Sequence, residues 1–204
     1  VNESSSINVF KGYDDFELET KVFKYRECIT SEGETQYHVV TNETPFYPEG
    51  GGQIGDTGEI ISNSVTIAVK NTFRDGEDII HLVDNLPIEL GDSLLMKIDK
   101  NRRLSIQRNH TSTHLLQFAL KKTLGNHVEQ RGSMLTEDIF RFDFSHQSKL
   151  SDKELSDAEK LVKSLIKDEI QCIEEKQANY NDAVKAGAIG LFSEKYGDVV
   201  RTIK

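Results

Sequence analysis

Two histidines four residues apart, in the run His110-Thr-Ser-Thr-His114, are the sharpest chemical feature of the sequence. Residues i and i+4 of a helix share a face about one turn apart, so a pair of imidazoles so placed can hold a common metal ion. On a helical wheel the pair falls on the less apolar side, beside Gln107, Gln117 and Lys121, which suits a pocket wall better than core filling. Tetrahedral zinc takes three or four protein ligands. Beyond Cys172 the sequence holds no further His or Cys.

A second feature is Thr44-Pro-Phe-Tyr-Pro-Glu-Gly-Gly-Gly-Gln53. Three consecutive glycines, Gly50, Gly51 and Gly52, let a backbone take positive φ or approach a ligand closely. Exposed N–H groups there could hold a carboxylate, a phosphate or a terminal ribose, and a tight turn at the rim of a sheet is the structural alternative. No Gly-Lys-Ser or Gly-Lys-Thr follows, so this is not a phosphate loop of the Walker kind, and the glycine spacing does not fit a dinucleotide fingerprint. Gln130 shares strand parity with Val128, Gly132 and Met134 and so faces inward with them, where an amide can orient a water or a substrate. His38, His81, His127 and His146 each stand alone in sequence, and surface or satisfied structural roles fit all four. No Ser/His/Asp or Cys/His arrangement can be defended from spacing.

These groups need a scaffold, and the chain supplies two kinds. Residues 20–98 read as short β-strands broken by turns: strands at 21–29, 36–41, 59–61 and 65–69, with turns at 31–34, 63–64 and 74–78. Strands at this spacing suggest a small barrel or sandwich, and a small β-barrel is taken as an N-terminal domain over residues 1–97. From residue 98 the pattern turns to α+β, and 98–204 reads as a second domain in which the helix bearing both histidines packs on an antiparallel sheet. Asp99 is a plausible N-cap and Gly125 a plausible stop for that helix. Its apolar residues, from Leu104 to Leu120, spread round the wheel and predict a largely buried helix. Stretches 128–134 and 139–144 follow as paired strands, with Phe140, Phe142 and Phe144 on one face. Ser151-Asp-Lys-Glu154 is a capping box, opening a helix whose stripe of Leu155, Ala158, Val162, Leu165 and Ile166, running on to Ile173, reads as core packing. The tail 183–204 reads as a short helix, a turn at 195–198 and a final strand.

Bulk properties narrow the classes. No apolar run approaches the ~20 residues of a membrane span, and the first ten residues do not form a signal peptide. Cys28 and Cys172 lie far apart and read as free thiols of a reducing compartment. A net charge of -9 argues against a general nucleic-acid binder, although residues 97–141 carry a net positive charge that could meet phosphate locally. The chain starts at Val1 and stops in the strand-like VVRTIK, from which an excised piece of a longer protein is expected.

Taken together, TPFYPEGGGQIGDTGEI, RNHTSTHLLQFALKKTLGNHVEQRGSMLTEDIFRFDFSH and AVKAGAIGLFSEKYGDVVRTIK resemble the alanyl-tRNA synthetase family, in its order and spacing, from about Lys11 to Lys204. The HxxxH pair alone is shared with threonyl editing domains; the glycine-rich segment ending in Gln53 speaks for the alanyl group. The resemblance implies an editing region that hydrolyses serine or glycine from mischarged tRNA(Ala), acting on the aminoacylated 3′ end, in a cytoplasmic protein that charges alanine. It makes His110 and His114 two of four zinc ligands, the other two coming from a Cys-x-x-x-His motif outside this sequence. It makes Gln130 an editing residue, sets Thr113 and Ser133 in the pocket lining, and matches Thr44, Gly50, Gly51, Gly52 and Gln53 to the glycine-rich motif beside it. ATP and magnesium would belong to an aminoacylation domain that this chain lacks. A free-standing AlaX-type trans-editing protein, a non-catalytic tRNA-docking module and a generic metallohydrolase are the alternatives.

Overall fold

The computed structural model describes residues 8–63, 65–87, 93–171, 173–187 and 197–203. The chain is mixed α+β and folds as two compact units. One comprises Val1–Thr113 with Gly132–Asp143, the other His114–Arg131 with Phe144–Lys204. The division falls inside a helix and a strand ribbon, and side chains of the first helical turns are bonded into the loops of the preceding sheet.

The first unit is built on β1 (Val9–Phe10), β2 (Glu17–Ile29), β3 (Thr35–Thr41), β4 (Glu43–Thr44), β5 (Gly58–Ser62), β6 (Val65–Val69), β7 (Asn71–Asp75), β8 (Asp78–Val83) and β9 (Ser93–Ile98). Seven of these form one antiparallel sheet in the order β6-β5-β9-β2-β3-β8-β7. Strand β2 is 13 residues long and serves two partners: residues 17–21 pair with β9, and from Val22 onward it pairs with β3, with a register shift between Val22 and Lys24. A bulge of this kind bends a strand and sharpens its twist, which lets one strand run through both halves of a coiled sheet. Val39, Phe46, Ile60, Val83 and Met96, each fully shielded from solvent, fill the core, and alternation along β9 turns Leu94, Met96 and Ile98 inward.

The expected barrel is borne out only as a mostly antiparallel sheet. Its edge strands β6 and β7 share no ladder among the described residues; they are joined through Lys70, whose N–H donates to the Leu82 carbonyl at 2.8 Å. The turn expected at 74–78 is tighter, since Arg74, Asp75 and Asp78 are strand residues and Gly76 with φ 62° makes the reversal. At 63–64, Asn63 takes φ 52° and Ser64 lies outside the described residues.

Helix α1 (Lys100–Leu124) starts where the Asp99 carboxylate accepts from the Arg102 N–H at 2.9 Å and ends at Gly125 with φ 115°. It is less buried than the wheel suggested: Phe118 is 45% exposed, and the buried positions include Arg103, Thr113 and Gln117 alongside Ile106, Ala119 and Leu120. Strands β10 (Gln130–Leu135) and β11 (Phe140–Phe144) pair as a ribbon, with the three phenylalanines alternating against exposed Arg141 and Asp143 as expected.

In the second unit, α2 (Asp152–Lys167) opens on the predicted capping box: Ser151 Oγ accepts from the Glu154 N–H, and the Glu154 carboxylate accepts from the Ser151 N–H. The helix stops at Lys167, short of Ile173, because Asp168 caps it and Glu169 turns to φ 46°. Its stripe is not the packed core expected, for only Ala158 is buried and Leu155 and Ile166 are about half exposed. Strands β12 (Glu174–Asn179) and β13 (Val199–Ile203) pair antiparallel, and α3 (Tyr180–Lys185) starts three residues before the expected short helix, capped by Asn179. Cys172 and residues 195–196 of the turn expected at 195–198 lie outside the described residues.

Candidate functional site

The glycine-rich loop is anchored at its first residue. Thr44 is fully buried, its hydroxyl accepting from the Phe46 N–H at 3.1 Å and lying 2.7 Å from His81 Nε2. His81 Nδ1 is 2.9 Å from the Val39 carbonyl, which can only accept, so the proton sits on Nδ1 and Nε2 accepts from the threonine hydroxyl. Burial pushes this imidazole down to about 4, keeping it neutral. Of the residues expected to touch a substrate, Thr44 is thus fully buried, on the short strand β4.

At the tip, Gly50 and Gln53 exchange two backbone hydrogen bonds of 3.0 Å, with Gly51 at φ 62° and Gly52 at φ 86° between them. Two successive positive φ values are those of a type I′ turn, which side-chain-bearing residues adopt poorly. Gly52 is needed a second time over. A Cβ there would strike the backbone carbonyl and hydroxyl of Ser133, because the loop lies directly on β10: Leu135 N–H donates to the Gly52 carbonyl at 2.8 Å and Ile54 N–H to the Leu135 carbonyl at 3.2 Å. Ser133 Oγ donates to the Gly51 carbonyl at 3.1 Å.

The turn aims Gln53, which is 4% exposed, at helix α1, and its Oε1 stands 3.0 Å from His110 Nδ1. An amide oxygen only accepts, so this contact puts the His110 proton on Nδ1 and the lone pair on Nε2. A ring so held by an outer acceptor is the form in which histidine ligates metals. His114 follows one helical turn later, at the start of the second unit; it keeps exposed area, yet the protein mass around its ring lowers its pKa and favours the neutral form a metal requires. His110 and His114 stand one turn apart on α1. Among the described residues no group of three or more His, Cys, Asp or Glu is placed to hold a metal ion. Thr113 is buried and its hydroxyl donates to the Asn109 carbonyl at 3.0 Å. Gln130 opens β10, half-buried between exposed Glu129 and Arg131, and belongs to the second unit. The structure therefore brings together Gln53, His110, Gly51, Gly52 and Ser133.

The groups that hold the loop against the helix were not singled out from the sequence. Arg103, buried in the first turn of α1, donates to both Asp56 carboxylate oxygens, to the Gly12 carbonyl at 2.7 Å and to the Pro45 carbonyl at 2.9 Å. Asp56 Oδ2 also accepts from the Tyr47 N–H at 2.8 Å. Arg102 reaches the Gly55 carbonyl at 2.8 Å and Glu137, and Asn109 reaches the Thr136 carbonyl at 2.8 Å. The available signal was an Asp three residues beyond Gln53 and paired arginines opening a helix seven residues before His110. Of the four lone histidines, His81 has the satisfied structural role expected, and His38 accepts from Arg26. His127 and His146 are not alone: within the second unit their rings meet through Nε2 and Nδ1 at 2.9 Å.

Residues 1–102 match the family model described as tRNA synthetases class II (A). The alanine–tRNA ligase of Christiangramia forsetii is 42% identical over 196 residues, 96% of this chain and 22% of that protein. The one from Cytophaga hutchinsonii is 41% identical over 203 residues, 100% of this chain and 23% of that protein, and the one from Bacteroides fragilis 42% over 195 residues, 96% and 22%. The chain spans under a quarter of the length of the curated relatives it matches. It belongs to the class II (A) tRNA synthetases, and its relatives set it among the alanyl members of that family.

Proposed function

We propose that the protein carrying this chain is an alanine–tRNA ligase, joining alanine to tRNA(Ala) with ATP and magnesium in the cytoplasm, and that this stretch removes wrongly attached serine or glycine by hydrolysing the aminoacyl ester at the tRNA 3′ end. The observation that carries the editing reading is the 3.0 Å contact of Gln53 Oε1 with His110 Nδ1, which joins the glycine-rich turn to the HxxxH helix.

Each residue then has a task. Ser133 and Thr113 both spend their hydroxyl protons on backbone carbonyls, which leaves their oxygens as acceptors for a substrate serine hydroxyl. A pocket that bonds a hydroxyl discriminates strongly against a ligand lacking one, which separates serine from alanine; glycine, which also lacks a hydroxyl, draws nothing from this bond. The half-buried amide of Gln130 orients the attacking water. Loop N–H groups and amide donors stabilise the oxygen on which charge develops. A zinc ion held by His110 and His114, with further ligands beyond the described residues, would lower the pKa of a water or bind the amino acid.

The test is deacylation of Ser-tRNA(Ala) by the native protein, with zinc content measured alongside. Serine release is expected in the parent. His110→Ala should abolish release and zinc together, and Gln130→Ala should slow release with the fold unchanged by circular dichroism. A parent that binds tRNA(Ala) but releases no serine refutes the editing reading in favour of a docking module.

A further inference from the structure

One side chain of α1 grips the glycine-rich loop by both of its stems. Residues 45–56 run from β4 to β5 with the Gly50–Gln53 turn between. The stems are closed on each other: Asp56 N–H donates to the Tyr47 carbonyl at 3.0 Å, and Tyr47 N–H donates to Asp56 Oδ2 at 2.8 Å. Arg103 then holds each stem to the helix. Its Nη2 donates to the Pro45 carbonyl at 2.9 Å on the incoming side, and its Nε donates to Asp56 Oδ1 at 3.0 Å and Oδ2 at 2.9 Å on the outgoing side. A planar guanidinium, with donors in a fixed fork, bonds both stems at once; an ammonium, whose donors share one nitrogen, cannot span them.

Position adds the second argument. His110 stands seven residues beyond Arg103, two turns along the same face of α1, with fully buried Ile106 between them. A helix keeps that spacing fixed, so the point at which the guanidinium holds the stems also sets how far along the face the tip of the loop arrives. It arrives with Gln53 Oε1 3.0 Å from His110 Nδ1. Strand β10 supports the turn as well, through Gly52 and Ile54, but those bonds register it against the ribbon and not against the helix. Which nitrogen of a neutral imidazole carries the proton is decided by the partner that nitrogen finds. We propose that Arg103 is a positioning residue: by fixing both loop stems on α1 it holds the Gln53 amide at His110 Nδ1, and so keeps the His110 lone pair on Nε2. Its bearing on catalysis rests on the editing reading above; its bearing on the ring does not.

The test compares Arg103→Lys, Gln53→Leu and the double variant with the parent, each as the native protein treated with a chelator so that no bound metal fixes the ring. Nitrogen–proton correlation NMR of the histidine rings reports which nitrogen of His110 is protonated, the signal being assigned by its loss in His110→Ala. The parent ring should carry its proton on Nδ1. Gln53→Leu should move the proton toward Nε2, Arg103→Lys should do the same although Gln53 is intact, and the double variant should add nothing, because both changes act on one contact. Arg103→Lys keeps a positive charge beside Asp56, so the fold should hold by circular dichroism; if it does not, Asp56→Glu, which displaces the outgoing stem by one methylene and keeps the charge, takes its place with the same expectation. With zinc restored, deacylation of Ser-tRNA(Ala) should fall about tenfold to hundredfold in either single variant and no further in the double. A folded stem variant with the parent's ring proton overturns the assignment, as does a parent ring protonated on Nε2, and so do deacylation losses that multiply in the double variant, which mark two separate roles. If the parent itself releases no serine, the editing reading fails and the ring proton decides Arg103 alone: a shift in the stem variant sustains it, and none overturns it.

Discussion

Acid should loosen the sheet of the first unit through one side chain. His81 is fully shielded, neutral, and bonded on both nitrogens, with its pKa pushed by burial from 6.5 to about 4. The folded value lies below the unfolded one, so the unfolded state takes up a proton first as pH falls. The stability tied to the neutral ring is complete above pH 6.5 and is lost progressively between 6.5 and about 4. A difference of about 2.5 units at about 1.4 kcal/mol each amounts to about 3 kcal/mol across that window. Protonation also changes the bonding, because Nε2 becomes a donor facing a threonine hydroxyl that must then find a new acceptor for its own proton. Urea unfolding of the parent and of His81→Gln, followed through sheet amide signals by NMR from pH 4 to 7, isolates this share from that of the carboxylates. Gln can donate to Val39 and accept from Thr44 without titrating. Gln at this position should be less stable at neutral pH but flatter with acid, and the parent should lose about 1 kcal/mol more per pH unit in the window. Parallel pH dependences, or a His81 resonance titrating near 6.5, would refute the argument.

Other perturbations bear on the loop and its clamp. Gly52→Ala should destabilise the first unit by about 2 kcal/mol or more, against about 1 for Gly51→Ala, because both need positive φ but only the former also collides with Ser133; equal melting shifts would contradict the close approach. Asp56→Asn strips the buried Arg103 of its counter-charge and should cost about 3–5 kcal/mol in urea unfolding; a loss under about 1 would mean that the pair behaves like an exposed one. Gln53→Leu removes the acceptor on His110 Nδ1 and should lower deacylation by about tenfold to hundredfold with the fold intact; unaltered turnover would detach the glycine turn from the chemistry.

Much of this was legible in the sequence where the signal is local. The capping box at Ser151, the Asp99 cap, the Gly125 stop and the period-2 phenylalanines of β11 each lie within a few residues of what they determine. Gly50 to Gly52 announced a positive-φ turn for the same reason. What failed was what depends on distant partners. Ile166 looked like core by period but is half exposed, since periodicity states which side of a helix is apolar and not whether anything covers it. His127 and His146 each stand alone in sequence, yet the fold brings their rings together across 19 positions, which spacing does not reveal. Arg103 and Asp56 passed as ordinary charges on a helix and in a loop, 47 positions apart.

That clamp sets a timetable. Arg103 reaches back 91 residues to Gly12 and 47 to Asp56, and the triple-glycine turn leans on a residue 82 positions later at Ser133. A chain leaving the ribosome amino end first, at about 5–20 residues per second, therefore carries a finished glycine turn with nothing to rest on for several seconds. Closing such long loops is slow compared with forming hairpins or helices. Nascent protein should accordingly gain its β-strands well before it gains the Gln53–His110 contact, and stalled chains ending before α1 should hold the sheet without the groups arrayed on it.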